Sequence, residues 1–522
     1  MRIKRTLIVI VWLLAFGAGF APAQEAQKTL PLTLDDAVGR ALKNNIGIRV
    51  AEYSPANAEL SVQAAREKYY PTMAFNYSNR HSERVSYSFL DIAGATSITK
   101  TGNFQGSVSQ TIPLGGSLTI SMSNGLTDTN QKGNTINPQY NTQLGFSFSQ
   151  PLLRDFGAKW TNRTITVARN NYDVSELQFA KTVQDTVYSV TQTYWNLVYA
   201  IESLKVQEAS LQLARDFLAK NKRSVEIGTM APMDVLSAEA EVAGREASIL
   251  SAQSLVRNYE DQLRNIMNLS AEEEKGFTAV VPTDKPKFEE RPVDFDQALM
   301  IAIEKRTDLQ ISKINMKTDE INFGYAKNQL LPNLRLNAGY QSPGLSGTQI
   351  LYDGNPLFGS IIGTVPGGFS SAYKDTFAFK YPNWNISLSL DISLSNFLSK
   401  ANYAQSKLAL AQSKLDLENQ EKTAVLEIRN AVRQLQTNFK LVQANRISRE
   451  LAEKKLVAEE EKLRVGLSTN YFVLQYQRDL TSARVAELNA IINYNIAQAS
   501  LDRALGTILE NRNIRISDML AK

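Results

Sequence analysis

The stretch Phe295-Asp296-Gln297-Ala298, followed by Ala302-Ile303-Glu304-Lys305-Arg306, echoes an earlier one: Leu34-Asp35-Asp36-Ala37, followed by Ala41-Leu42-Lys43-Asn44-Asn45. The same register pairs Ala65-Arg66 with Ala326-Lys327, and Tyr70-Pro71-Thr72 with Leu331-Pro332-Asn333. One constant offset through separated matches marks an internal duplication, and repeats decide an architecture before any single element does.

Working outward from the repeat, each half follows one plan. A helix over 34–70, and its counterpart over 295–331, stops at Pro71 or Pro332, because proline biases the residue before it to extended structure. Alternating segments follow, over 71–152 and 332–395. Phe104, Val108 and Ile112 share a parity, as do Leu118, Ile120 and Met122. So do Leu144, Phe146, Phe148 and Leu152, while Trp384, Ile386, Leu388, Leu390, Ile392 and Leu394 form the longest set. Their neighbours are mostly Ser, Thr, Gln, Asn or Gly. A sheet over a soluble core has the same period. Small polar partners and strands of about ten residues point instead to a transmembrane β-barrel.

The remaining segments carry a helical period. Val183, Val187, Val190, Tyr194, Leu197, Ile201 and Leu204 step by fours and threes, as do Val425, Ile428, Val432, Leu435, Phe439 and Val442. These are coiled-coil seams. They lie in long hairpins over 158–268 and 398–506, whose first arms would each extend on the order of 100 Å at 1.5 Å per residue. Gly228 and Gly466 terminate those arms, as glycine does at helix C-termini. Pro232 and Asp234 suit the first turn of the returning helix, where the dipole favours a carboxylate.

Residues 1–23 read as a secretory signal: Arg2, Lys4 and Arg5, an apolar run from Leu7 to Ala18, then Ala21-Pro22-Ala23. Cleavage takes the formal charge from +5 to +2, by removing three cations. That leaves no electrostatic footprint for nucleic acid. Beyond the signal no apolar run approaches the roughly 20 residues of a spanning helix, so membrane entry has to be by a barrel. The 522 residues contain no cysteine and one histidine, His81. Thiolate chemistry, disulfides, His-pair metal sites and a lipid-attachment cysteine are excluded. A triad would hang on His81 in the polar stretch Asn79-Arg80-His81-Ser82-Glu83-Arg84, read as an ordinary exposed residue. No catalytic, cofactor or metal site is expected.

The signal, the duplicated plan and the paired tips resemble the TolC family of outer-membrane efflux and secretion channels. The most specific pieces are Val225-Glu226-Ile227-Gly228-Thr229-Met230-Ala231-Pro232-Met233-Asp234 and Val465-Gly466-Leu467-Ser468-Thr469-Asn470-Tyr471-Phe472. Ser149-Gln150-Pro151-Leu152-Leu153 and Arg503-Ala504-Leu505-Gly506 are also similar to family segments. The resemblance implies a fold mixing an α-helical coiled-coil tunnel with a transmembrane β-barrel, shared by a homotrimer with four strands per protomer in a 12-stranded wall. Residues 24–285 and 286–522 would be its two repeats.

A hairpin-like pair within 101–127, around Gly115-Gly116, has no counterpart in the second half. There, strands over 333–341 and 376–395 flank a Gly/Pro/Ser-rich loop. The pair either extends outward beyond the 12-stranded barrel or enlarges it to 18 strands; the extension is the expectation.

The resemblance further implies passive conduction of small molecules, with an inner-membrane transporter and a periplasmic adaptor as partners and lipid around the barrel. Gly228, Thr229, Gly466, Leu467 and Ser468 would meet the adaptor. Some relatives carry acidic gate residues six and nine positions beyond the second tip glycine. Those positions here are Phe472 and Gln475, which implies an uncharged constriction, with Asp234 in a tip hydrogen bond or ion pair. Glu459-Glu460-Glu461 reads as a solvated helix face. The alternatives are the outlet of a type I protein secretion system and, more remotely, a periplasmic coiled-coil protein.

Overall fold

The computed structural model describes residues 29–86, 96–269 and 279–520; the signal stretch 1–23 lies outside them. The first half runs β1 (Thr29–Leu32), α1 (Leu34–Asn44), α2 (Ile46–Arg66), β2 (Thr72–Val85), β3 (Thr96–Thr111), β4 (Ser117–Thr129), β5 (Ile136–Pro151), α3 (Ala158–Thr161), α4 (Arg163–Glu226) and α5 (Pro232–Met267). The second runs β6 (Ala279–Pro282), α6 (Phe295–Lys305), α7 (Thr307–Asn328), β7 (Asn333–Tyr352), β8 (Ile361–Val365), α8 (Phe369–Phe377), β9 (Asn383–Asp391), α9 (Phe397–Arg464), α10 (Asn470–Leu505) and α11 (Ser517–Leu520). Two compact units emerge. One holds Met1–Asn45, Ser189–Phe288 and Leu441–Ile496; the other holds Ile46–Tyr188, Glu289–Lys440 and Ala497–Lys522.

The single helices expected over 34–70 and 295–331 are each two helices. Thr33 and Asp294 cap them by accepting from Asp36 N and Asp296 N. Asn45 and Arg306 then leave the helical region, at ψ 124° and 121°. No proline marks either break. At each break the side chain reaches the end of another helix, whose last carbonyls lack partners of their own. Asn45 Nδ2 donates to the carbonyl of Ile266 near the end of α5 at 2.8 Å, and Arg306 Nη1 to that of Ala504 near the end of α10 at 3.1 Å.

In the first unit, β1 and β6 pair in parallel. Tyr194 is fully buried beside them, its hydroxyl 3.0 Å from both the Leu32 carbonyl and Asp284 Oδ2. Burial first, and then the Asp284 carboxylate, push this phenol up to about 12, against the opposing hydrogen bond from the Asp284 backbone N–H. The seam residues Val190, Tyr194 and Leu197 are buried here, and Val183 and Val187 in the second unit, as the periodicity requires. Toward the hairpin tips, Phe217, Ala238, Leu456, Val473, Leu474 and Leu480 form one apolar cluster from α4, α5, α9 and α10. Ion pairs lace the same helices: Lys222–Glu239 at 2.8 Å, Arg478–Glu241 at 2.9 Å and Arg449–Glu487 at 2.6 Å.

The second unit is built on one sheet. Its strands run β2-β3-β4-β5-β7, with β9 on the first part of β7 and β8 on the last, all antiparallel. The sheet is therefore six strands wide. The expectation that the 101–127 pair extends beyond the other strands is overturned. β3 pairs with β2 from Thr72↔Ser109 to Val85↔Thr96, and β4 with β5 from Ser117↔Ser149 to Thr127↔Gln139. The hairpin is inserted sideways, where the ladders to β2 and β5 take up backbone N–H and C=O groups along most of both its edges.

The loop expected between the second-half strands is also corrected. It contains β8 and α8, and the strand expected over 376–395 is confined to β9. α8 lies on β5 and β7, with Thr376 Oγ1 2.6 Å from Thr142 Oγ1 and Ser342 Oγ donating to the Thr376 carbonyl at 2.7 Å. Gly344 permits this approach, since a Cβ there would lie 2.0 Å from the Ala372 carbonyl oxygen.

Candidate functional site

No helix among the described residues is long and apolar enough to cross a membrane, so the surface chemistry of the sheet matters. Partners across a ladder point to the same side, and the alternation is therefore read across all strands at once. One side carries Phe75, Phe104, Ile120, Phe146, Tyr340 and Trp384, with Met73, Tyr77, Leu118, Met122, Leu144, Leu336, Ile386 and Leu388 in the same rows. Phe75 stacks on Phe104 at 6.4 Å, and Phe146 tilts against Tyr340 at 6.5 Å. Phe75 is 70% exposed and Trp384 72%. The opposite side carries Gln105, Ser107, Ser109, Thr119, Ser121, Gln143, Ser147, Asn337 and Ser387. Ser109 and Thr119 hydroxyls lie 2.9 Å apart, and Ser149 Oγ donates to Asn337 Oδ1 at 2.8 Å. α8 covers the apolar side only around Tyr140, Thr142 and Ser342; the apolar face left uncovered elsewhere marks a surface built for something other than water. The two long edge strands, β2 and β9, leave open ladders as well.

The hairpin tips are twins in local geometry. Gly228 has φ +77° and Gly466 φ +79°. Gly228 N–H donates to Val225 O at 3.0 Å and Thr229 N–H to Ser224 O at 2.9 Å. Gly466 N–H donates to Leu463 O at 3.1 Å and Leu467 N–H to Lys462 O at 2.8 Å. This is the paired closure of a left-handed C-terminal cap, and it satisfies carbonyls that would otherwise be orphaned. Asn470 Nδ2 donates to Met230 Sδ at 3.1 Å and so joins the two tips.

The residues singled out in the sequence divide on inspection. Gly228, Thr229, Gly466 and Leu467 are exposed, Leu467 at 78%. Ser468 is half-buried and donates to Glu459 Oε1 at 2.5 Å. Glu459, read from sequence as part of a solvated face, is buried. Hydrogen bonds from Ser468 and then Lys462 hold its carboxyl below the usual carboxylate range. Phe472 is 46% exposed, its ring edge-on to Tyr471, and Gln475 is half-buried and donates to Asp479 Oδ1 at 3.2 Å. Asp234 stands in the first turn of α5, its N–H on the Ala231 carbonyl at 3.1 Å. The side-chain partner expected for it within the chain is not found among the described residues.

Two features escaped the sequence reading. Ile227 is 74% exposed, and Met233, Val465 and Tyr471 are also exposed, so the tips present an apolar rim. The β-branched residue just before each tip glycine was the available signal. The other feature is the Arg306 cluster. Its guanidinium is bidentate on Asp308 at 2.6 and 3.0 Å and reaches Glu427 at 2.7 Å, while Gln420 donates to Asp308 at 2.7 Å. Burial works against the Asp308 carboxylate, but the hydrogen bonds and charge of Arg306 prevail and hold its pKa low. This is scaffolding at a helix joint. His81 lies exposed on β2, 3.9 Å from Glu83.

Comparison with known proteins gives one consistent set of likenesses. The family model of the outer membrane efflux protein matches residues 114–269 and 298–507. Outer membrane protein TolC of Escherichia coli is 24% identical over 371 residues, covering 70% of each chain. The probable efflux pump outer membrane protein TtgC of Pseudomonas putida is 25% identical over 390 residues, covering 71% of this chain and 70% of its own. In fold, the CmeC outer membrane channel of Campylobacter jejuni superposes with a TM-score of 0.62 at 16% identity, covering 94% of this chain and 88% of that one.

Proposed function

The chain belongs to the outer membrane efflux protein family, and from that premise we propose that it is the outer-membrane exit duct of a tripartite efflux pump. It conducts small molecules passively, and carries no catalytic centre. The observation that carries this reading is the two-sided sheet, with exposed aromatic and aliphatic rows on one side and hydroxyls and amides on the other. Lipid solvates the first and water the second. One chain leaves two strand edges open, which lipid does not tolerate, and closing copies into a ring removes them. We take the ring to be a homotrimer, as in the family.

The remaining parts follow from the same reading. Residues 1–23 are the cleaved export signal, and 24–285 and 286–522 are duplicated halves; the matched caps, joints and tips support the duplication. Gly228, Thr229, Gly466, Leu467 and Ser468, with the apolar rim of Ile227 and Val465, receive the periplasmic adaptor, which links the duct to an inner-membrane transporter. Asp234, Phe472 and Gln475 stand at the periplasmic gate, where Phe472 and Gln475 bring no charge and the Asp234 carboxylate is the one charged group of the three. The efflux reading stands ahead of protein secretion because the curated relatives are named as efflux components.

The test is cell fractionation with gel analysis of unheated and heated samples, joined to drug susceptibility of a strain lacking the gene. Recovery in the outer membrane as a heat-dissociable trimer, with hypersusceptibility rescued by the gene, is expected. A soluble monomer with unchanged susceptibility refutes the proposal.

A further inference from the structure

The β3–β4 hairpin is full-height, and this has a consequence for the duct. We infer that the hairpin is part of the barrel wall, so that each copy contributes six strands and three copies enclose an 18-stranded lumen. The inference rests on the exit-duct reading above and extends it to the width and chemistry of the pore.

Three observations carry it. The ladders on both sides of the hairpin are unbroken over 14 residue pairs with β2 and 11 with β5, and β3 and β4 have 16 and 13 residues, against 14 and 16 for β2 and β5. Strands of about 9–11 residues suffice to span an outer membrane. The hairpin's turn lies at the end of the sheet where strands meet helices. Leu114 O accepts from Gly157 N–H at 3.1 Å and from Gln150 Nε2 at 3.0 Å, and Gly115 turns there with φ +92°. An outward extension would turn at the opposite end. Finally, the hairpin keeps the two-sided code of the rest of the sheet. Phe104, Val108 and Ile120 continue the apolar rows, and Gln105, Ser107 and Thr119 the polar ones.

The consequence is chemical as well as geometric. Barrel diameter grows nearly linearly with strand number, and at 16–18 strands porins hold an open aqueous channel. Every residue that β3 and β4 add to the polar side is Ser, Thr, Asn, Gln or Gly. Charges on that side are confined to β2, β7 and β9, at Arg80, Arg84, Arg335 and Asp391. The wall that β3 and β4 add is therefore a neutral hydrogen-bonding surface, set between strands that carry Arg80, Arg84, Arg335 and Asp391 on the same side.

The absence of native cysteine makes the test clean. Single substitutions Phe104→Cys and Gln105→Cys on β3, Ile120→Cys and Thr119→Cys on β4, and Phe146→Cys and Ser147→Cys on β5 are made in the full chain. Each is exposed in outer membranes to a charged, membrane-impermeant thiosulfonate, and the unheated gel band confirms assembly and gives the copy number. Modification of Gln105→Cys, Thr119→Cys and Ser147→Cys, with loss of modification at the three apolar-side positions and a trimer band, is the expected result. If the β5 pair alternates while both members of the β3 and β4 pairs react, the hairpin projects from the wall and the inference falls. If the β5 pair itself fails to alternate, the barrel reading falls instead. A dimer band gives a 12-stranded ring and overturns the width.

Discussion

Replacing Leu144 by arginine places a cation on the apolar side of β5, and the adjacent Gln143→Arg places the same cation on the polar side. Leu144 pairs with Met122 and Ser342, four residues from Phe148 on one side and four from Tyr140 on the other. At about 3.4 Å per residue that is roughly 14 Å along the strand each way. With strands tilted by about 40°, the corresponding depth is near 10 Å, which puts Leu144 inside an apolar band about 25 Å tall, next to the patch of Tyr140, Thr142 and Ser342 that α8 covers. Arginine at that depth costs about 2–4 kcal/mol, a shift of about 30- to 900-fold in the folding equilibrium. Gln143→Arg, facing water, is expected within about 0.5 kcal/mol of the parent. The assay is denaturant unfolding of the protein reconstituted in lipid vesicles, followed by the fluorescence of Trp160, Trp195 and Trp384. Equal costs for the two substitutions, or a larger cost at Gln143, refute the assignment of lipid and water to the two sides.

Other expectations follow from the joints and tips. Gly466→Val places a β-branched residue at φ +79°, where nothing crowds a Cβ. The cost, about 1–3 kcal/mol, is therefore backbone strain, and rescue of drug resistance in cells is expected to fail for Gly466→Val while Gly466→Asn retains it. Arg306→Ala strands the Asp308 carboxylate and the Ala504 carbonyl and is expected to destabilise by about 3–5 kcal/mol in thermal unfolding; Arg306→Lys should recover part of this. Glu459 has its carboxyl pKa held below the ordinary 4.5 by Ser468 and Lys462. Its stabilisation of the second tip is complete above that value and lost as the pH falls through the lowered folded value. Thermal unfolding followed across that range should show the loss in the parent, and Glu459→Gln should flatten it.

Much of the fold is legible in local patterns. The four-and-three spacing of Val183, Val187, Val190, Tyr194 and Leu197 predicts a buried seam, and all five are buried. The tip glycines are visible because only a left-handed residue closes such a turn cheaply, and both have positive φ. The alternation of Trp384 through Leu390 needs only the pleat of a strand. The joints at Asn45 and Arg306 were invisible for the opposite reason. Neither is a helix breaker, and the side chain at each break is held by a carbonyl some 200 residues away. Glu459 was misread because an acidic run on a helix carries no sign of the Ser468 hydroxyl that folds back onto it.

The sequence by itself determined the kinds of element, the sidedness of the strands and the positions of the two turns. Each of these is set by residues within a few positions of one another, through dihedral preference and hydrophobic period. Only the tertiary structure decided the lateral order of the strands. Whether β3 and β4 stand beyond the sheet or within it turns on ladders between β2 and β3 and between β4 and β5, and on the β5–β7 pairing that closes Gln150 on Leu336 across a sequence separation of 186. A strand's side-chain pattern says which side is apolar, but not which neighbour takes its backbone hydrogen bonds. That choice makes the sheet six strands wide.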